Sequence, residues 1–399
     1  MEIDFVALRT KYPVLAKNFI GNHYNFDKPG AVYDLSEVIL KEVYGLTIEL
    51  DRLKLCPRIP NRRSYLEWCE KRFKAQLEVQ SERDPTSTAT LPVYNIDIGT
   101  GSSAIYALLG VKLAPKSRFI GTEIDSNSIK HAQIQIDRNN LNESITLVEI
   151  DNPNEIIPDS LLQAIPQNSQ VGYTMCNPPF YSTWEELESR NKIKPERANK
   201  LHGSESELYH EDGGEYGFIK KYIAQSLDIK HPGFKNTWFT CQLGLEETGI
   251  KLKRHLESLS QRGQIEDYII HELEHPGITR RNVVAWATNN LYRWSFKSIS
   301  IMNDLELVYD KLVTFKFVKS WKSKCNSNVY IESEFPVWTR KFSRMVRFQS
   351  DKISKLKPQP MIVRISSDEI VWIYGNDKYS WETFITWIER FRKRPRPEI

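Results

Sequence analysis

The chain has 399 residues, 27% of them charged and 40% hydrophobic, with a formal net charge of +4. That length allows two or three domains and a sizeable core. It holds no apolar run long enough to span a bilayer and no signal-peptide pattern, so a soluble intracellular protein without a membrane partner is expected. The five cysteines, at 56, 69, 176, 241 and 325, show no close pairing, which fits a reducing compartment and argues against a disulfide framework or a zinc cluster.

Residues 1–90 read as a helical extension, with apolar spacing over Phe5 to Tyr12, Val32 to Tyr44 and Tyr65 to Val79. Strand-like runs follow at 93–98, 117–122, 144–149 and 170–176. Between them lie helical stretches at 103–112 and 126–140, the second with Ile129, Ala132 and Ile136 on one face. Strand alternating with helix predicts an α/β fold over 91–295, with a doubly wound parallel sheet and right-handed crossovers. Ligands bind such sheets where the strand order reverses, here at the carboxyl ends of the first and fourth strands. The N-terminal helices are expected to cap that crevice.

The first strand runs into Gly99-Thr100-Gly101-Ser102-Ser103-Ala104, a turn whose glycines permit a tight bend and close backbone approach to a ligand. The second ends at Glu123, and an acid about 20 residues beyond such glycines commonly holds ribose hydroxyls. Gly99, Gly101 and Ala104 also fit the dinucleotide pattern. Asp97 argues against a dinucleotide, because its carboxylate would repel a pyrophosphate while tolerating the cationic end of S-adenosylmethionine. Asp125 reads equally well as an acid capping the next helix.

The fourth strand ends in Asn177-Pro178-Pro179-Phe180. Two prolines make a stiff loop whose carbonyls cannot be drawn back into the sheet. With the Asn177 side-chain carbonyl and an aromatic face, the loop suits a planar NH2 group: two acceptors take its hydrogens and the ring stacks on its plane. The nitrogen lone pair is then left for an electrophile, as methylation of an exocyclic amine requires.

Thr183 to Asp212 is polar, with four Lys/Arg between Arg190 and Arg197, and its 184–212 part is expected to be a mobile loop beside the crevice. The core resumes with a helix near 214–228 and strands near 236–242, 264–271 and 283–288. His271-Glu272-Leu273-Glu274-His275 matches a zinc-protease pattern, but that chemistry needs a helix, whereas Ile265 to Ile270 is strand-like and Pro276-Gly277 follows. No metal site is expected. Residues 300–399 carry a net +7 against −3 for the rest of the chain. They predict a smaller basic α+β domain, with strands at Met361 to Ile365 and Glu369 to Tyr374 and a helix from Trp381 to Phe391. Basic and aromatic residues interleave over Trp338 to Arg344 and Arg390 to Arg394, a pattern that suits either an RNA-binding surface or a solvated one. The Arg390 to Arg396 cluster also reads as a nuclear-import signal.

Beyond the two motifs, Lys11-Tyr12-Pro13, Phe26-Asp27-Lys28-Pro29, Tyr44-Gly45-Leu46, Tyr65-Leu66-Glu67-Trp68 and Gly213-Gly214-Glu215 lie outside any generic nucleotide-binding core. With these the chain resembles the methyltransferase-like protein 16 family of RNA adenine N6-methyltransferases over roughly 5–290. The resemblance implies a class I S-adenosylmethionine-dependent methyltransferase, Rossmann-like, that methylates adenine N6 in structured RNA, with U6 small nuclear RNA as the substrate. It implies a nuclear protein, with a cytoplasmic pool possible, and a monomer is expected. Asn177, Pro178, Pro179 and Phe180 would then be catalytic, with Phe180 or Tyr181 stacking on the base. Arg62, Asp97, Gly99, Thr100, Gly101, Ser103, Glu123, Asn154 and Asn177 would hold the donor. Arg62, Tyr181, Arg280 and Arg281 would meet the RNA.

The chain departs from the family in two places. The loop after the third strand, Ile150 to Asn154, lacks the family's basic residues, and Ile278 replaces an arginine near Arg280 and Arg281. The C-terminal residues show no residue-level match to the RNA-binding region of larger relatives. Ribosomal RNA, a glutamine amide in a protein, and a non-catalytic RNA-binding role remain alternatives; intact Asp97, Gly99, Gly101, Glu123 and Asn177 argue against the last.

Overall fold

The computed structural model describes residues 4–83, 91–183, 185–186, 205–273, 281–300, 305–323, 328–348, 353, 356–366 and 369–392. They form two units, one of Met1–Phe73 and Leu91–Asn289, the other of Lys74–Thr90 and Asn290–Ile399.

The first unit starts with helices α1 (Phe5–Lys11) and α2 (Pro13–Ala16), a small hairpin of β1 (Phe19–Ile20) and β2 (His23–Tyr24), and helix α3 (Ala31–Tyr44). Asp4 caps α1 by accepting from the Val6 and Ala7 amides. Helix α4 (Ile59–Arg83) follows, its first half in this unit. Then come β3 (Val93–Ile98), α5 (Ile105–Leu113), β4 (Arg118–Glu123), α6 (Ser126–Arg138), β5 (Ile145–Glu149), α7 (Asp159–Ala164) and β6 (Gln170–Cys176). The expected strands at 93–98, 117–122, 144–149 and 170–176 are thus present, each shifted by a residue at most at either end.

After the short helix α8 (Glu205–Leu208), the unit closes with α9 (Gly214–Leu227), β7 (Phe239–Leu243), α10 (Glu246–Gln261), β8 (Asp267–Glu272) and β9 (Asn282–Ala287). Four strands pair in parallel in the order β5-β4-β3-β6, and three pair antiparallel in the order β7-β9-β8. A parallel bridge between Tyr173 and Trp238, with Thr174 N donating to Trp238 O at 2.9 Å, joins the two sets into one sheet. Strand order therefore reverses between β3 and β6, where a doubly wound sheet opens its crevice. Its core includes Ile96, Ile98, Val171, Ile219, Tyr222, Phe239 and Trp286, with Phe239 stacked on Trp286 at 5.8 Å.

The second unit takes the second half of α4 together with β10 (Tyr292–Ser300), α11 (Leu305–Val313), β11 (Val318–Lys322), β12 (Val329–Ser333), α12 (Arg340–Phe348), β13 (Met361–Ile365), β14 (Glu369–Tyr374) and α13 (Lys378–Arg392). Its antiparallel sheet has the order β10-β14-β13-β12-β11. One core joins Trp338, Phe342, Val363, Trp372, Trp381 and Phe384, so the Trp381 face of the last helix is buried. A second cluster packs Val79 of α4 among Tyr292, Tyr330, Ile362 and Tyr374.

This division differs from a boundary at residue 90, and side chains of α4 give the reason. Gln76 accepts from Trp294 Nε1 at 3.0 Å, Glu78 from Tyr330 OH at 3.1 Å and Glu82 from Trp321 Nε1 at 3.0 Å, while Arg83 pairs with Glu332 at 3.0 Å. The end of the N-terminal helix thus completes the C-terminal unit.

Candidate active site

Gly99 and Gly101 both take left-handed backbone angles, φ +69° and +66°, which lets the chain reverse directly after β3. The turn is tied to the next strand: Thr100 N donates to Thr122 O at 2.8 Å and Gly101 N to Glu123 Oε2 at 2.8 Å. Glu123 Oε1 accepts from the Ile124 and Asp125 amides at 2.9 and 3.0 Å. Burial still raises its carboxyl above the ordinary range against these hydrogen bonds. Asp125 caps α6, accepting from the Asn127 and Ser128 amides, and pairs with Lys54 at 2.9 Å.

A cavity of about 270 Å³ opens above the turn. Gly99, Thr100, Gly101, Ser103, Glu123 and Asn177 line it, as does Arg62. Apolar Ile98, Ile124, Ile150 and Ile156 form further wall, and Glu155 and Glu207 add carboxylates. Leu55, Pro57, Tyr106, Tyr209, His210 and Phe218 complete much of the rest, and no sequence motif pointed to them.

Two expected donor residues lie elsewhere. Asp97 is buried beneath the turn rather than in the cavity wall, its Oδ2 accepting from Thr100 Oγ1 at 2.6 Å. Burial pushes its pKa up to about 7. Asn154 is exposed outside the wall, where Lys221 Nζ donates to its Oδ1 at 3.0 Å; its neighbours Pro153 and Glu155 line the cavity instead.

A smaller cavity of about 70 Å³ lies on the other side of Asn177. Phe180, Gln242, Leu243 and Gly244 line it with Arg58, Arg62 and Arg281. Leu55, Arg62 and Asn177 border both cavities. Arg62 Nη1 donates to Asn177 Oδ1 at 2.7 Å, Tyr106 OH at 2.8 Å and Gln242 Oε1 at 2.9 Å. A guanidinium is donor-only, so this contact orients the Asn177 amide with its oxygen toward Arg62. Burial lowers the pKa of Arg281, and the nearby Arg58 and Arg62 charges lower it further.

The aromatic of the loop is seated by backbone. A Cβ on Gly244 would overlap the Phe180 ring, so only glycine allows this approach. Glu215, from Gly213-Gly214-Glu215, holds that turn by accepting from Gly244 N at 2.5 Å and Leu245 N at 3.2 Å. Tyr181 faces inward: its ring is buried with Leu208, and its backbone bridges to Tyr209. Of the two aromatics proposed to stack on a base, Phe180 reaches the cavity and Tyr181 does not.

Several expectations fall outside the described residues. Arg280, Ile278, His275 and residues 187–204 of the predicted loop are among them, as are Cys325 and 393–399. The described end of that loop forms α8 and lines the larger cavity through Glu207. His271 sits on strand β8, not on a helix, and no group of potential metal ligands occurs among the described residues.

Residues 1–290 match a family described as RNA methyltransferase. The chain is 33% identical over 294 residues to the RNA N(6)-adenosine-methyltransferase mettl16 of Xenopus laevis, covering 71% of this chain and 49% of that protein. It is 28% identical over 406 residues to the U6 small nuclear RNA (adenine-(43)-N(6))-methyltransferase of Schizosaccharomyces pombe, covering 95% of this chain and 97% of that protein. The chain therefore spans about half the length of the Xenopus protein and nearly all of the yeast one. Among solved structures it is similar to the hMettl16 catalytic domain in complex with MAT2A 3′UTR hairpin 1, with 29% identity and a TM-score of 0.59 over 72% of this chain and 91% of that one. It is also similar to the N-terminal domain of human METTL16 in complex with SAH, with 28% identity and a TM-score of 0.53 over 72% and 94%. The sheet order, the glycine turn and the Asn-Pro-Pro-Phe loop at its switch point agree with these likenesses: the chain belongs to this RNA methyltransferase family and has its class I methyltransferase fold.

Proposed function

We propose that this protein transfers a methyl group from S-adenosylmethionine to the N6 of an adenine in structured RNA, with U6 small nuclear RNA as the substrate. The observation that carries the reading is the position of Asn177-Pro178-Pro179-Phe180 between an acid-lined and an arginine-lined cavity. The larger cavity fits the donor: carboxylates suit its cationic and hydroxyl groups, isoleucines suit a flat base, and glycines admit close backbone approach. Gly99, Gly101 and Ser103 would hold the amino-acid part and Glu123 the ribose. The bound donor supplies an activated methyl whose carbon–sulfur bond breaks as the carbon–nitrogen bond forms, leaving a neutral thioether, while N6 releases one proton to solvent.

The chain's own residues position the amine. An adenine flipped into the smaller cavity would place its N6 hydrogens on Asn177 Oδ1 and the Pro178 carbonyl, with its ring against Phe180. Arg62 takes one lone pair of Asn177 Oδ1 and leaves the other for the base. Positioning supplies most of the rate, and no strong base is required. Arg58 and Arg281 would meet the phosphates beside the flipped nucleotide.

The yeast relative aligns across the second unit as well, and that unit exposes Arg340, Lys341, Arg344 and Arg347 on α12. This stripe supports an accessory RNA-binding role, in a protein that works as a monomer in the nucleus. Charge reversal at Arg340, Arg344 and Arg347 should weaken RNA affinity and flatten its salt dependence; unchanged binding would remove that role. Among the described residues no helix is long and apolar enough to cross a membrane.

The test is methyl transfer from labelled S-adenosylmethionine to U6 small nuclear RNA by the wild type and by Asn177→Ala. Transfer should fall by roughly 100-fold or more in the variant, with donor and RNA affinities within a few-fold of wild type. Transfer to ribosomal RNA or a glutamine peptide, but not to U6 RNA, would replace the substrate. Absence of donor binding would end the enzymatic reading.

A further inference from the structure

Gln242 is 3% exposed at the end of β7 and lines the smaller cavity. Its Oε1 accepts from Arg62 Nη1 at 2.9 Å and from Tyr106 OH at 3.2 Å. Arg62 has only donors to offer, so the amide cannot be turned the other way without setting NH2 against a guanidinium. The NH2 end therefore points away from Arg62, and Nε2 has no hydrogen-bond partner among the described residues. Burying an amide donor unpaired is unfavourable, so an acceptor brought by a ligand at this position would satisfy it.

What would complete it follows from its neighbours. Asn177 Oδ1 and Gln242 Oε1 share one nitrogen of Arg62, at 2.7 and 2.9 Å, so the two amides lie side by side. Phe180 lines the same cavity and offers a face for a planar ring. Other unpaired atoms nearby do not serve: Asp97 Oδ1 is below the glycine turn, lining neither cavity, and Arg62 Nε belongs to a side chain already held by three acceptors.

We propose that Gln242 is a base-reading residue, whose Nε2 donates to a ring nitrogen beside the 6-amino group of the target adenine. It rests on the reading that an adenine amine enters this cavity. In adenine the ring nitrogens on either side of the amine, N1 on C6 and N7 on C5, are both acceptors, whereas a base protonated at the contacted position would oppose donor to donor. Asn177 and Pro178 then recognise the amine, and Gln242 recognises the ring that carries it. A glutamine side-chain amide has no such nitrogen, so the contact also favours a nucleobase over a protein amide.

The experiment pairs a protein change with an atomic change in the RNA. Single-turnover transfer is measured for the wild type and Gln242→Met on U6 RNAs carrying adenosine, 1-deazaadenosine or 7-deazaadenosine at the target position, each of which keeps the amine. Wild type should lose roughly tenfold with one of the two deaza bases. Gln242→Met should be slower on adenosine by a similar factor and indifferent to that same deaza change, because the contact is already gone. Donor affinity close to wild type shows that the variant is folded. An equal deaza penalty in both proteins, or none in the wild type, would overturn the assignment. Failure of the wild type to methylate the adenosine RNA at all would instead overturn the functional reading, and this inference with it.

Discussion

The two cavities meet at Asn177 and Arg62 but are built on opposite principles. The larger one is built on the glycine turn after β3 and the end of β4, with walls from the segments near 150–156 and 207–210, and its charged wall is mainly acidic, with Glu123, Glu155 and Glu207. The smaller one is drawn from the segment before α4 and its first turn, the β6 loop, the end of β7 and the residue before β9, and its charged residues are all arginines. The difference matches what each would hold. A sulfonium donor brings positive charge and hydroxyls; an RNA strand brings phosphates. Segregating the two charges on either side of one loop lets cation and polyanion approach the same reacting atoms without either meeting a wall of its own sign.

Among the changes that test this comparison, the largest expected effect comes from removing the arginine that borders both sides. Arg62→Ala would leave Asn177 Oδ1, Gln242 Oε1 and Tyr106 OH without their shared donor. Transfer should drop by roughly 100-fold, more than either substrate's affinity, as steady-state and binding measurements on the same preparation would reveal. If affinity for one substrate alone accounted for the loss, Arg62 would belong to one cavity rather than to both.

A middle-sized effect should split cleanly. Glu123→Gln should weaken donor binding by about tenfold and leave RNA affinity alone, whereas Arg281→Ala should do the reverse and reduce the salt slope of RNA binding by about one. Titrations of each ligand against both variants give four affinities. Any large crossed effect would break the division of labour.

The smallest effect concerns Asp97 and stability. Burial raises its carboxyl to about 7, above its unfolded value, so the folded state retains a proton that the unfolded state has released. Its contribution therefore makes stability fall as pH rises from about 4 to about 7 and adds no further slope above that. Asp97→Asn keeps an oxygen for Thr100 and cannot titrate, so its melting temperature should decline less over that window. Parallel profiles for the two proteins would mean that Asp97 is ionised throughout.

How much of this could be read from the chain depends on the range over which each feature is encoded. The parallel strands of the first unit announced themselves because each is a short run rich in β-branched and aromatic residues between helical stretches, as Val93–Ile98 is before Gly99. Helix α10 passed unnoticed, although Leu252, Leu256 and Leu259 mark its buried face. The second unit yielded only its last two strands and last helix; in β10, β11, β12, α11 and α12 polar and charged residues interrupt the apolar spacing and blur the periods. Within the site, Gly99, Gly101, Glu123 and Asn177 lie where a local motif put them. Tyr106, Glu207 and Gln242 reach it from separate segments, and no spacing rule connects Gln242 to an arginine 180 positions earlier. Asn154 and Tyr181 show the converse: each is next to a residue that lines a cavity, and local sequence does not say which of two neighbours turns inward.

Helix α4 has a consequence for the order in which the molecule is made. Its residues 74–83 are assigned to a unit whose remaining strands begin at Tyr292, so the whole of 91–289 is synthesised in between. At about 5–20 residues per second, Val79, Glu78 and Arg83 wait roughly 12–50 s for Tyr330, Glu332 and the sheet that carries them. The first unit, complete at Asn289, can mature before the second, whose two segments it separates. A fragment made of 290–399 alone would lack the helical segment that fills its second core, and should be less stable than the same residues supplied with 74–83.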